Sequence, residues 1–186
     1  MKVCILKCNR YNIIQFYQKM EISVKKEKVK LGNLTLIGMT ARTNNKNEIN
    51  PQTSKIAQLA GTYWEKQIAN QFKNCINPGV TYSVYTEYES DENGEYTYFI
   101  GEEVESLNDQ DQTKFKSLII PASTYQKFTT ESGKIPDIVI TSWQKIWQMK
   151  ENDFGGKRKY IADFEIYDQR ASDPNNAIVD IYIGIK

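Results

Sequence analysis

Apolar and polar positions change period several times along the chain. From Leu34 to Thr43 the apolar residues Leu34, Leu36, Ile37 and Met39 predict a β-strand. The preceding Lys-Lys-Glu-Lys-Val-Lys run at 25–30 reads as a charged lead-in, and Asn44 to Asn50 as a polar loop. Pro51 marks a helix start, because proline fits the first helical turn. From Ser54 the residues Ile56, Leu59, Ala60, Tyr63, Trp64, Ile68 and Phe72 recur at helical spacing and form one apolar face. Asn77-Pro78-Gly79 stops it. Residues 80–88 alternate and are rich in Val, Tyr and Thr, which predicts a strand. Asp91-Glu92-Asn93-Gly94 predicts a hairpin turn, residues 95–105 the returning strand, and 106–114 a polar loop. The order then repeats. Residues 117–129 read as β around Ile119-Ile120-Pro121, followed by a loop at Glu131-Ser132-Gly133. Pro136 precedes a helix with Val139, Trp143, Ile146, Trp147 and Met149 near one face, and residues 160–168 and 177–185 read as the last strands.

Each half therefore reads strand, helix, strand, strand. Tyr98-Phe99-Ile100-Gly101 matches Ile181-Tyr182-Ile183-Gly184, and Tyr88-Glu89 matches Tyr167-Asp168. These repeats predict an internal duplication. The expected fold is α+β: two βαββ units, six mostly antiparallel strands and two long helices about a pseudo-twofold axis, with a ligand cleft at the junction. Period-two geometry sorts the strand faces. Val179, Ile181, Ile183 and Ile185 share a face that must cover a helix. Ala162, Phe164 and Ile166 share a core face, which leaves Asp163, Glu165 and Tyr167 on the other. Tyr82 and Tyr85 have opposite parity, so they cannot both face one cleft. Glu165 and Tyr182 are expected to point away from the helix-packed side, into that cleft.

Composition narrows the chemistry. A length of 186 residues with 40% apolar and 25% charged residues suits one soluble domain. Residues 25–186 are expected to hold it, with residues 1–24 a peripheral extension. No apolar run reaches the roughly 18 residues of a membrane-spanning helix, and residues 1–19 lack a secretory h-region. A formal charge of +1 is far from that of a bare electrostatic nucleic-acid binder, so no direct nucleic-acid contact is expected. The chain contains no histidine, which excludes imidazole-based triads and His-containing metal sites. Cys4, Cys8 and Cys75 make a poor disulfide framework and point to a reducing, cytoplasmic compartment. No metal and no cofactor are expected. Whatever chemistry occurs rests on carboxylates, hydroxyls, amines or thiols.

Several segments, in order, resemble the GyrI-like family of bacterial effector-binding domains over roughly residues 25–186. They are Trp64 on the first helix, Tyr82-Ser83-Val84-Tyr85 with Tyr88-Glu89, and Tyr96 to Val104. They continue with Ile120-Pro121-Ala122, Tyr125 and Phe128, Trp143 to Trp147, Asp163-Phe164-Glu165-Ile166-Tyr167-Asp168 and Tyr182. Two positions depart from the family's pattern: Ser123 replaces a common glycine, and the usual proline after the second helix's tryptophan is absent at Met149. The resemblance implies a duplicated βαββ fold whose pocket takes amphipathic effectors, commonly lipophilic cations. It implies that Glu165 recognises the positive charge while aromatic side chains surround it. The expected ligand contacts are Glu165, Tyr182, Tyr167, Trp143, Trp147, Trp64, Tyr85, Tyr82, Phe99 and Tyr125.

The physical chemistry of those residues agrees with this reading. Twelve tyrosines, seven phenylalanines and three tryptophans offer many π faces. A cation over such a face gains about 0.5–2 kcal/mol. A carboxylate buried among them loses hydration and its pKa rises, unless a cation restores the balance. Residues 87–111 carry ten acids and no lysine or arginine. That hairpin is either a cation-attracting rim or simply a solvated surface. Three functional readings follow. The first is a stand-alone binding protein for an amphipathic, cationic small molecule. The second is a hydrolase in which Glu165 acts as general base. The third is a protein-interaction module, such as a gyrase protector, using Glu102, Glu103 and Glu105 on its surface. A homodimer or a separate regulatory protein are the partner arrangements left open.

Overall fold

The structure is a computed structural model that describes residues 25–186. The expectations for residues 1–24, including those for Cys4 and Cys8, lie outside the described residues. Eight strands form one antiparallel sheet: β1 (Lys25–Leu31), β2 (Leu34–Thr43), β3 (Thr81–Thr86), β4 (Tyr96–Glu103), β5 (Lys116–Ile120), β6 (Ser123–Thr129), β7 (Ala162–Tyr167) and β8 (Asp180–Ile185). Four α-helices accompany them: α1 (Asn45–Ile49), α2 (Lys55–Glu65), α3 (Asp137–Gln148) and α4 (Glu151–Phe154). The strand order is β1-β6-β8-β7-β3-β4-β2-β5. Exchanging the first four strands with the last four turns this order into its own reverse.

Two short connections dictate the shape of the sheet. Only Gly32 and Asn33 join β1 to β2, yet these strands are first and seventh in the order. Only Pro121 and Ala122 join β5 to β6, which are eighth and second. Three Cα–Cα steps reach about 11 Å, whereas six strand spacings in a flat sheet span about 29 Å. The sheet must roll. Its inside is filled by Leu36, Val84, Phe99, Tyr125, Phe164 and Tyr182, with Val29 and Leu31 from one edge and Leu118 from the other packed against them. The Ala122 amide donates to Asn33 Oδ1 at 2.7 Å and ties the two connections together.

The helices lie on the outside of the roll. Tyr63 of α2 joins Ile37, Tyr96, Tyr98 and Ile100 of β2 and β4. Val139, Trp143 and Ile146 of α3 join Phe128, Ile181, Ile183 and Ile185 of β6 and β8. Each helix thus covers strands of its own half, and the central pair β3 and β7 stays uncovered between them. Among the described residues no helix is long and apolar enough to cross a membrane.

The α+β expectation is met, but the described residues form eight strands rather than six. Residues 25–31, read from sequence as a lead-in, form an edge strand. Its lysines give charge to an otherwise open edge, a common protection against edge-to-edge pairing. Pro121 cannot donate to a ladder, and the 117–129 segment breaks there into two strands that pair on opposite sides of the roll. The first helix ends at Glu65, earlier than its apolar stripe suggested, because Gln67 adopts a left-handed backbone with φ of 48°. Ile68–Gln71 resumes only as a 3-10 turn.

The face assignment of β7 is also corrected. Phe164 lies opposite Tyr182 and Glu165 opposite Ile181. Directly opposed residues share a face, so Ala162, Phe164 and Ile166 point into the roll and Glu165 points toward the helices. Glu165 and Tyr182 are on opposite faces. The physical reason is burial on both sides: alternation separates two faces but does not say which of two dry faces holds the helices.

Gly38 and Gly101 oppose each other where β2 meets β4. A Cβ on Gly101 would lie 2.1 Å from the Ile37 carbonyl oxygen, and one on Gly38 2.1 Å from that of Ile100. Backbone, not a movable side chain, occupies the space. Gly101→Ala is expected to destabilise the fold by about 1–3 kcal/mol through overpacking, read as a lower urea midpoint. An unchanged midpoint would show that the two strands can separate at no cost.

Candidate functional site

The uncovered strands form the floor of a cavity of about 890 Å³ between α2 and α3. Ser83 and Tyr85 from β3, Tyr96 and Tyr98 from β4, and Glu165 and Tyr167 from β7 face it. Ile56, Ala60 and Trp64 line the α2 wall, and Val139, Ile140, Trp143 and Trp147 the α3 wall. The α2 wall is fixed at its start by Glu48 of α1. Its carboxylate accepts from the Lys55 and Ile56 amides at 3.0 and 3.1 Å and from the Ser54 hydroxyl at 2.7 Å. An acid at a helix N-terminus satisfies amides that have no partner inside the helix.

Glu165 lies at the centre of the floor, only 2% exposed. Trp143 Nε1 donates to its Oε1 at 2.6 Å and the Tyr85 hydroxyl to the same oxygen at 2.8 Å. The Tyr167 hydroxyl donates to Oε2 at 2.7 Å. Register explains the arrangement. Ser83 opposes Glu165, so Tyr85 and Tyr167, each two residues farther along its own strand, flank the carboxylate from either side. Trp143 packs edge-on against Tyr85 with ring centroids 5.0 Å apart.

All three donors are neutral. Burial raises the Glu165 pKa, and the hydrogen bonds from Tyr167, Trp143 and Tyr85 offset this only in part. Burial and the neighbouring negative charge also hold the phenols of Tyr85 and Tyr167 well above their usual value, so both remain donors. The Tyr98 phenol is raised by the same two causes.

A second polar group lies at one end of the cavity. Arg158 donates to Asp163 Oδ2 at 2.7 Å and to Glu92 Oε2 at 3.3 Å. The Tyr88 hydroxyl donates to Asp163 at 3.0 Å, and the Tyr160 hydroxyl to Glu92. Arg158, Glu92 and Tyr88 all line the cavity. Among the described residues no group of three His, Cys, Asp or Glu side chains is placed to hold a metal ion.

Of the residues singled out from sequence, the structure brings Glu165, Tyr167, Tyr85 and Trp143 into direct contact. Trp64 and Trp147 stand at the cavity mouth, 52% and 41% exposed. Tyr182, Tyr82, Phe99 and Tyr125 do not line the cavity. They pack inside the roll, with Tyr182 stacked on Phe164 at 4.8 Å. Tyr82 and Tyr85 take opposite faces, as their parity requires. Sequence reasoning missed Tyr96 and Tyr98, although their parity with the core residue Ile100 carried the signal. Arg158 and Glu92 had no such signal, because only the fold brings them together. Glu102 is not a surface residue. It is 1% exposed and accepts from Tyr63 and Thr81 hydroxyls at 2.7 and 2.6 Å beneath α2.

Comparison with known proteins agrees with this architecture. The sequence profile of the family described as integron-associated effector binding protein matches residues 29–185. A putative transcriptional regulator from Bacillus subtilis (strain 168), YobU, is 30% identical over 149 residues, covering 80% of this chain and 90% of that protein. An integron cassette protein from the mobile metagenome of Vibrio cholerae superposes with a TM-score of 0.68 at 24% identity, covering 87% of this chain and 95% of the other. SAV2435, solved bound to tetraphenylphosphonium, superposes with a TM-score of 0.68 at 20% identity, with coverage of 87% and 94%. The resemblance to effector-binding domains read from the sequence is borne out.

The buried carboxyl generates a pH dependence. Its unfolded pKa is about 4.3, and in the fold it is raised. A raised acid favours folding most fully below the unfolded value, and that contribution is lost as pH rises through the folded pKa. Glu165→Gln removes the ionisation. The ligand-free variant should therefore gain stability over the parent progressively as pH rises, read from paired denaturation curves between about pH 4 and pH 8. A difference that is flat or shrinks with rising pH would contradict the burial argument.

Proposed function

The chain belongs to the family of integron-associated effector-binding proteins, and from that premise we propose that its cavity binds an amphipathic small molecule whose positive charge is met by Glu165. One observation carries the reading: the carboxylate is buried at the floor of an aromatic cavity, held by three neutral donors and, among the described residues, by no basic side chain. Burying an unpaired carboxylate costs several kcal/mol after relaxation. A cation entering the cavity supplies the missing charge, and Tyr85, Tyr96, Tyr98 and Trp143, which line it, offer aromatic rings for cation–π attraction. The walls are broad and apolar, so they set few demands on ligand shape. The phosphonium bound by SAV2435 is a ligand of this chemistry, which supports the reading by likeness of fold.

Residues 25–186 are proposed as the effector-binding domain, built from two duplicated halves. The reversible strand order and the flanking of Glu165 by Tyr85 and Tyr167 support the duplication. On this reading the duplication places one carboxylate near the axis with an equivalent tyrosine on each side.

Calorimetric titration with tetraphenylphosphonium tests the proposal. Glu165→Gln should weaken binding at least about tenfold, or roughly 1.4 kcal/mol. Binding should also weaken as pH falls and the carboxyl takes up a proton, because the cation then competes with that proton. Equal affinity of parent and variant across this pH range would rule out Glu165 as the counter-charge.

A further inference from the structure

The cavity holds a second acidic position that the Glu165 reading leaves unused. Glu92, on the turn between β3 and β4, lines the end of the cavity with its side chain 27% exposed. It shares Arg158 with Asp163, which is fully buried and closer to the guanidinium: 2.7 Å against 3.3 Å for Glu92. Two carboxyl groups thus compete for one guanidinium. Asp163 cannot leave, because the Gly184 amide and the Tyr88 hydroxyl also hold it at 2.8 and 3.0 Å. Glu92 is the looser partner, and it is the one that reaches the cavity.

An aromatic path joins the two acidic positions. Ring centroids step from Trp143 to Tyr85 at 5.0 Å, to Tyr96 at 5.6 Å, to Tyr88 at 5.9 Å and to Tyr160 at 5.5 Å. The hydroxyl at the Glu165 end of this path, that of Tyr85, donates to Glu165, and the one at the other end, that of Tyr160, donates to Glu92. Asp163 and Glu165 are two residues apart on one strand face, about 7 Å. Glu92 lies one guanidinium beyond Asp163. The two poles are therefore separated by on the order of 10 Å of aromatic wall.

We propose that the cavity selects elongated dications, with one charge at Glu165 and the second at Glu92, the spacer lying along Tyr85, Tyr96 and Tyr88. This inference rests on the cation reading of Glu165 and adds a second pole to it. When the second charge arrives, Arg158 keeps Asp163 and Glu92 turns to the ligand, so no buried charge loses its partner.

A matched pair of ligands separates the two claims: hexyltrimethylammonium, with one charge, and hexamethylene-bis(trimethylammonium), with two, whose spacer suits that separation. In the parent the dication should bind more tightly. Glu92→Gln should cost the dication about tenfold and change the monocation by less than about twofold. Tyr160→Phe removes one partner of Glu92 but not its charge, and should keep the dication preference. Equal losses for both ligands in Glu92→Gln, or loss of the preference in Tyr160→Phe, would make Glu92 a support for the turn and overturn the proposal. A dication no tighter than the monocation in the parent would overturn it as well. If the monocation binds the parent and is lost in Glu165→Gln while Glu92→Gln shifts both ligands alike, only the second pole falls. If neither ligand binds the parent, the cation reading of Glu165 fails and takes the second pole with it.

Discussion

The two-residue links between β1 and β2 and between β5 and β6 constrain everything else in this fold. Each joins strands that lie six places apart in the sheet. No flat or gently twisted sheet can satisfy a link that short, so the sheet rolls over, with β1 and β5 left as its edges, and acquires an inside and an outside that are both dry. The inside needs no helix, since side chains from all eight strands fill it. Both long helices are then free to pack on the outside, one over each half.

The site follows from that division. A helix covering β2 and β4 and another covering β6 and β8 leave β3 and β7 bare along their junction. Antiparallel pairing of those two strands places Ser83 opposite Glu165. A small residue facing a long acidic one leaves open volume above the sheet, and the tyrosines two positions away on each strand close around the carboxylate. The aromatic walls come from the inward faces of the same helices that pack the halves, so the residues that stabilise α3 and those that bound the cavity are partly the same. Trp143 does both: its ring packs on Tyr85 and its indole N–H holds Glu165.

Much of this was legible in the sequence. The strands from 34 to 43, 81 to 86 and 180 to 185 and the two long helices followed from period and punctuation. Glu165, Tyr85, Tyr167 and Trp143, all expected from sequence to share a cleft, meet at the cavity floor. The misassigned faces had one physical origin. The strand rule sorts residues into two faces, and in a rolled sheet both faces are apolar, so Phe164 and Ile181 look equally like core on either side. Tyr182, Tyr82, Phe99 and Tyr125 were therefore assigned to the cavity when they belong inside the roll. The lysine-rich β1 was missed because an edge strand is marked by charge rather than by apolar alternation. The Arg158 cluster depends on contacts between residues 92, 158 and 163, which no local pattern links.

Two acids on the same face of β7 differ in the charge of their partners. Asp163 and Glu165 are neighbours by strand period, and both are removed from water. Asp163 has a guanidinium at 2.7 Å. Among the described residues Glu165 has only hydroxyls and an indole. The burial that raises both acids is the same in kind, so the difference lies in the partner. An arginine beside Glu165 would have relieved its desolvation permanently and left nothing for a ligand to gain. Neutral donors hold the carboxylate in position and relieve only part of the cost, and they cannot supply a positive charge. On the proposed reading, the unrelieved part is what a bound cation would recover as binding energy. On the same reading, selectivity for charge with tolerance of shape follows without any contact specific to one molecule, because charge is met by carboxylates and shape only by broad apolar walls.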